Sequence, residues 1–451
     1  SAIPGASLVW AAEQRPARAW VTSQHKKFQP IESLKWQPSG SVSTDVIRVD
    51  PGEQRQEILG FGAALTDASC FLLHNMESSQ QQALLEELYG PKGLRFSVGR
   101  TCIGSSDYSE NVYSFDESPE PDPELKRFDL GHDRAYILPT LRAAREQNPD
   151  LFLFSSPWSP PGWMKANGSM LGGSMRKHYF GPYAEYFLHF LQGYEKDGVE
   201  INAVTIQNET DTDQDGRMPA ALWGQEYEME FVKSYLGPAL QKASIGTKIW
   251  ILDHNYNLWG RAIDELSDPD VNKYVDGVAW HGYAGSPEAM TRVKEAFPAK
   301  HCYWTEGGPD ISDPNYANDW AKWSATFSGI LRNWARCIVS WNVLLDENGK
   351  PNIGPFSCGG VVTINSKTRE LTRSGQYWAF AHYSKLMQRG AHVTASHGDV
   401  RQIDHTAFEN PDGTYGLVIT NQGDQQHIAC HFRDQVLDLT LEPDSITSLL
   451  W

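Results

Sequence analysis

The sequence predicts a (β/α)8 barrel with an attached β-sandwich, and three observations lead to that reading. Between residues 50 and 390, eight short apolar runs alternate with helix-like segments, the pattern of a parallel sheet closed on itself. The segments between the runs repeat apolar residues at helical spacing, whereas each run holds only four to eight apolar or β-branched residues. Both chain ends carry short strand-like runs of the kind that build a sandwich. A chain of 451 residues suits one large domain with a smaller companion.

Taken in order, "SLVWAAEQ", "ARAWVTSQ" and "DVIRVDP" open the chain as strands, and residues 1–50 are expected to join the sandwich. The barrel is assigned to residues 51–389. Its strands are "ILGFGAAL", "LRFSVGRT", "LFLFSSPW", "INAVTIQNE", "KIWILDHN", "VDGVAWHGY", "HCYWTEGG" and "CIVSWNVLL". The helices between them are "SSQQQALLEELYG", "DRAYILPTLRAAREQ", "YAEYFLHFLQGYEK", "EYEMEFVKSYLGPALQKA", "SPEAMTRVKEAFP" and "NDWAKWSATFSGILRNWAR". After the helix "YWAFAHYSKLMQRGA", residues 390–451 supply "QIDHTAFE", "YGLVITNQ", "HIACHFR", "LDLTL" and "ITSLLW", with Pro411-Asp412-Gly413 as a turn.

Composition excludes several classes. A formal charge of −17 argues against nucleic acid and anionic membrane surfaces as partners. No apolar run approaches the roughly 20 residues of a membrane span, so no membrane insertion is expected. Six cysteines in a chain this long are not a disulfide scaffold, and none form a C-x-x-C pair. There is no H-E-x-x-H, G-x-S-x-G or Walker loop. No cofactor is expected and no metal ligand set is visible. The chain begins Ser1-Ala2-Ile3, which a removed export signal or a trimmed end would explain; a secreted or periplasmic location is the expectation.

A barrel keeps its active site at the C-terminal ends of its strands. Those ends offer Asp67, Arg100 and Asp107, Trp158, Asn208 and Glu209, Asp253 and His254, His281 and Tyr283, Glu306, and Trp341 and Asn342. Glu209 and Glu306 close the fourth and seventh strands, across the mouth from each other. Two facing carboxyls fit glycoside hydrolysis, in which one acid protonates the leaving oxygen and a second carboxylate attacks or stabilises the sugar cation. A lone Glu is more often a surface or salt-bridged residue. Two at matched strand ends, one of them preceded by Asn, with tryptophans ending the third and eighth strands to pack against a sugar ring, favour chemistry.

Four ordered motifs make the chain similar to glycoside hydrolase family 30, the glucosylceramidase-like retaining β-glycosidases of clan A. "GFGAALTDAS" resembles the first-strand GFGGA-x-TDA, and "SSPWSPPGWMKANGSM" resembles SPW-x-SP-x-W-x-K-T-N. "TIQNET" resembles the NEP-type acid/base motif, with Thr210 in place of Pro, and "WTEGG" resembles the nucleophile strand. The resemblance implies Glu209 as acid/base and Glu306 as nucleophile. It implies Asn208 at the sugar 2-hydroxyl, Asp107, Trp158 and Trp341 around the sugar, and Arg100 beside the nucleophile. His281 and Tyr283 in "WHGY" match H-W-Y, with Gly282 where the family has Trp. Phe356 in "NIGPFSCGG" stands where the family has Asn.

The resemblance leads to the expectation of exo-acting hydrolysis of β-glucosides, with a β-linked carbohydrate or glycolipid as substrate. An endo-β-1,6-glucanase or a β-xylosidase or β-fucosidase of the same family is the alternative, and a non-catalytic carbohydrate-binding barrel is a remote one. Asp67 is expected to support the first loop and Trp163 to pack. "DTDQDG" (residues 211–216) opens like a calcium loop, but its twelfth position, which needs Glu, is Leu222. It is read as the loop after the fourth strand.

Overall fold

A computed structural model describes residues 16–40 and 45–451. The strand expected at residues 7–14 lies outside the described residues. Eight parallel strands close a barrel: Gly60–Ala64, Val98–Cys102, Phe152–Ser156, Ala203–Thr205, Lys248–Asn255, Val275–His281, His301–Glu306 and Ala335–Asn342. Side chains alternate across each strand, so one register fills the barrel interior. Its apolar layer is Val98, Phe154, Ala203, Trp250, Ala279, Tyr303, Cys337 and Val339. Two residues further along, the same inward face carries Arg100, Ser156, Thr205, His281 and Thr305. The polar mouth therefore sits directly on a packed apolar floor.

The mouth departs from regular pairing. Ala279 pairs with Leu252 and Trp280 with His254, which leaves Asp253 as an extra residue in the fifth strand. Trp280 pairs with Trp304 and His281 with Glu306, leaving Thr305 extra in the seventh, and Trp341 is left out between Ser340 and Asn342 in the eighth. Such bulges re-aim side chains. Leu252 and Asp253 have φ of 73° and 50°, and Glu209 has 54°. Left-handed backbone at non-glycine residues costs of order 1–3 kcal/mol each and clusters at functional sites.

Among the described residues, ten strands form a curled, mostly antiparallel second sheet. Arg18–Ser23 pairs with Ser445–Leu450, and Val46–Glu57 pairs with His392–His397 and Gln426–Phe432. Its own apolar cluster includes Trp36, Ile47, Leu417, Ile419, Phe432 and Leu449. Barrel helices Trp320–Arg332 and Gly375–Ser384 meet this sheet through buried polar pairs. Ser324 Oγ bonds Thr420 Oγ1 at 2.6 Å, Ser328 Oγ bonds Thr406 Oγ1 at 2.6 Å, and His382 joins Thr22 and Ser448.

Several elements differ from the sequence reading. The single helix expected over 226–243 is two helices, Gln225–Phe231 and Gly237–Lys242, joined by a π-helical turn at Val232–Leu236. Pro238 has no N–H to continue the regular ladder, and a wider turn accommodates it. A helix at Trp259–Ser267 follows the fifth strand, where none was expected, and His392–His397 is an additional sandwich strand. After the eighth strand, Leu344–Asp346, Val362–Ile364 and Leu371–Arg373 form a small sheet that carries residues 350–358 to the barrel mouth.

Candidate active site

Arg100 organises the mouth. It is fully buried, and its Nη1 donates to Glu306 Oε1 at 2.6 Å. Its Nη2 donates to Asp253 Oδ2 at 2.8 Å and to Asn208 Oδ1 at 2.9 Å, and its Nε to Ser156 Oγ at 3.2 Å. The guanidinium also lies 4.7 Å from the Trp158 ring and 5.5 Å from the Trp341 ring. A delocalised fork is the side chain able to serve two carboxylates and an amide at once.

Asp253 is the second hub. Besides Arg100 it accepts from Thr205 Oγ1 at 2.7 Å, from Thr305 Oγ1 at 2.8 Å and from the His281 ring at 2.8 Å. Burial opposes its ionisation, but the charges of Arg100 and His281 and these hydrogen bonds hold its carboxyl far below the ordinary range. The strand-end rule places Asp253 at the mouth. Its weight became visible only once the bulge turned it inward.

The two glutamates face the same imidazole. His281 Nδ1 lies 3.1 Å from Glu209 Oε2 and 3.8 Å from Glu306 Oε2. Tyr283 Oη donates to Glu306 Oε2 at 2.9 Å, although the Tyr283 residue is half exposed. Burial opposes charging of His281, but Glu306, Asp253 and the hydrogen bonds to Asp253 and Glu209 lift it to about 9. Burial likewise works against the Glu209 anion, and His281 and His254 more than offset it, so that carboxyl lies below its usual range. The 3.1 Å contact between Glu209 Oε2 and His281 Nδ1 contributes to both shifts.

These groups open on a cavity of about 500 Å³ lined by Asp107, Trp158, Asn208, Glu209, Tyr283, Glu306 and Trp341, a size usual for small-ligand sites. Trp158 and Trp341 stack on each other at 5.1 Å and 18°, forming one aromatic wall above Arg100. Burial, with the Glu306 charge second, pushes the Asp107 carboxyl well above the usual range. The Tyr108 hydroxyl accepts from Cys358 N and donates to Phe356 O, which pins the 350–358 loop over this end. Of the expected sugar-contact residues, all but Arg100 and His281 line the cavity. Those two do not line it; Arg100 bonds Glu306 and His281 bonds Glu209.

The cavity also takes in Asp211, Thr212, Gln214, His254, Asn255, Asn257, Leu258, Phe356 and Cys358. Asp211 Oδ1 bonds His254 Nε2 at 2.7 Å, and Asp213 accepts from Asp215 N at 3.2 Å. Asp67 accepts from the Tyr136 hydroxyl, lies 3.1 Å from His132 and stays out of the cavity lining. Trp163 donates its Nε1 to Asp116 O and packs.

Comparison with known proteins follows this geometry. Residues 58–387 match the model of the glycosyl hydrolase family 30 TIM-barrel domain, and residues 390–449 match that of the family 30 β-sandwich domain. The chain belongs to glycosyl hydrolase family 30. It is 34% identical to an endo-1,6-β-D-glucanase of Neurospora crassa over 85% of this chain and 83% of that one. It is 32% identical to a putative glucosylceramidase 3 of Caenorhabditis elegans, over 93% and 84%. A solved endo-β1,6-glucanase superposes with a TM-score of 0.87 at 28% identity, covering 96% of this chain and 99% of that one. Family 30 proteins are glycosidases, and this chain is a glycoside hydrolase built on a barrel and a sandwich. No helix among the described residues is long and apolar enough to cross a membrane.

Proposed function

We propose that this chain is a retaining β-glycosidase that cleaves internal bonds of a β-1,6-linked glucan. The observation that carries the retaining chemistry is the shared imidazole. Two carboxylate oxygens at 3.1 and 3.8 Å from one nitrogen lie less than about 7 Å apart at most, which accommodates the roughly 5–5.5 Å of retaining pairs. Glu306 attacks the anomeric carbon from a position fixed by Arg100 and Tyr283. The glycosidic C–O bond breaks as Glu209 passes its proton to the leaving oxygen. Water then attacks the glycosyl ester, Glu209 takes the water's proton, and Glu306 leaves as the carboxylate. The Asn208 carbonyl is held by Arg100, so its NH₂ is available to a sugar hydroxyl.

The leaving-group side is the side of Glu209. Gln214 Nε2 reaches Glu209 Oε1 at 3.4 Å, and Thr212, Asn255 and Asn257 line the cavity along with Met218, Leu258 and Phe356. These amides and this hydroxyl offer partners to a second sugar that the alkyl chains of a ceramide would leave unpaired. The similarity to endo-1,6-β-glucanases supports the same choice. The exo-acting, glucosylceramidase-like reading draws on the putative glucosylceramidase similarity and on the closed end at Asp107. Linear β-1,6-glucan separates the two. Endo cleavage lowers polymer size at once and yields mixed oligosaccharides, whereas release of glucose alone, or hydrolysis of glucosylceramide with the glucan untouched, sinks the polymer reading. Proton NMR of the first-formed anomer checks retention.

A further inference from the structure

Glu209 sits between two imidazoles. Its Oε2 is 3.1 Å from His281 Nδ1 and 3.5 Å from His254 Nδ1. The far nitrogen of each ring is already bound to a carboxylate, His281 Nε2 to Asp253 at 2.8 Å and His254 Nε2 to Asp211 at 2.7 Å. Asp253 accepts from Arg100, Thr205 and Thr305 as well, so it is an acceptor there and His281 Nε2 carries the hydrogen. The same tautomer at His254 turns its Nδ1 lone pair toward Glu209. His254 is 6% exposed, and its buried Nδ1 has no hydrogen-bond partner.

Two imidazole nitrogens and one carboxylate oxygen thus converge within 4.8 Å of one another. A tetrahedron with bonds of roughly 2.0–2.1 Å has ligand–ligand edges of about 3.4 Å, close to the 3.1 and 3.5 Å found here. A carboxylate behind each ligating histidine fixes its tautomer and raises its basicity, as in metal sites generally. Nitrogen-rich donors select zinc or copper over magnesium or calcium. The open cavity in front leaves the fourth position to water. The sequence shows no such set because the three residues lie at or beyond the ends of three different strands, the fourth, fifth and sixth.

We propose that Glu209, His254 and His281 form a reversible inhibitory site for zinc-class divalent cations. Binding releases the proton of His281 Nδ1 to solvent, and the cation occupies the carboxylate that has to carry the proton, so bound metal and turnover exclude each other. The inhibitory half rests on the acid/base role of Glu209; the binding half does not.

Titration of the full chain with Zn²⁺ by calorimetry, and with Co²⁺ by visible absorption, tests binding directly. One ion per chain is expected, with a tetrahedral Co²⁺ spectrum, at least tenfold loss of kcat/KM at saturation and full recovery on adding EDTA. His254→Gln should weaken binding by 10–100-fold or more, and Asp211→Asn, at a half-exposed position that tolerates change, by about tenfold. The surface trio Asp50, Glu53 and His397, in which Asp50 is partly buried, is a competing site, so His397→Ala should leave both binding and inhibition unchanged. Cys358→Ser should leave binding unchanged. Loss of the ion in His397→Ala or Cys358→Ser, or its retention in both His254→Gln and Asp211→Asn, overturns the site, as does no binding at all. An ion that binds through His254 while turnover persists overturns the inhibition and, with it, the acid/base role of Glu209.

Discussion

Replacing Arg100 with Met separates its two jobs. Met fills a similar volume but leaves Glu306 without its 2.6 Å partner and Asp253 without its 2.8 Å one, both buried. Removing one side of a buried ion pair costs about 3–5 kcal/mol, because the charge left behind has no compensation. His281 still donates to Asp253 and Tyr283 to Glu306, so we expect a loss near the lower end, about 3 kcal/mol. Turnover should suffer independently, since Arg100 also fixes where Glu306 points. A displacement of about 1 Å at a reacting group is worth roughly 10²-fold. Arg100→Lys keeps the charge and loses the fork, so it should recover part of the stability but little of the rate. Urea unfolding followed by circular dichroism gives the first quantity, and kcat/KM on an aryl β-glycoside, measured where each variant is fully folded, gives the second. A variant that is destabilised yet turns over normally would make Arg100 a core ion partner only. One that keeps stability within about 0.5 kcal/mol would refute the electrostatic argument itself.

Further expectations concern the glutamates, the closed end of the cavity and the barrel–sandwich seam. Glu306→Gln should abolish turnover on every substrate, whereas Glu209→Gln should be milder on substrates with acidic leaving groups, and azide should partly rescue Glu209→Ala; near-normal activity in Glu306→Gln would show the wrong nucleophile. Asp107→Ala should lower kcat/KM by roughly 10²-fold with little change in folding, because a site built to hold a hydroxyl discriminates steeply; full activity with a lower melting temperature would make Asp107 structural. His382 is buried between Thr22 and Ser448, and burial lowers it to about 3. Its neutral form is the folded form, so its contribution is intact above pH 6.5 and is lost as pH falls toward 3, by about 1.4 kcal/mol per pH unit. His382→Gln should therefore flatten the acid side of the stability profile, and an unchanged slope between pH 6 and pH 4 would contradict the burial argument.

Much of this site is legible in the sequence because barrel strands announce where they end. The runs that finish in Arg100, Asn208-Glu209, His281 and Glu306 are regular enough for their last residues to be placed at one mouth, and the rule that chemistry sits there does the rest. What stays hidden follows from breaks in the strand period. Asp253 and Thr305 are extra residues at bulges, and an alternation count would turn Asp253 away from the interior. Its role as the hub between Arg100 and His281 therefore needs three dimensions. The pairing of Asp211 with His254 is hidden for a related reason, since a loop after the fourth strand has to fold back onto the end of the fifth. Phe356 and Cys358 reach the cavity on a loop held by Tyr108 from far along the chain. The parts that bond breaking requires are thus carried on strand ends, where sequence pattern is strong. The parts around the leaving group are carried on loops, where it is weak. A sequence of this kind declares its reaction more readily than its substrate, and the cavity residues Thr212, Gln214, Asn255 and Asn257 are where the choice between a second sugar and a lipid has to be tested.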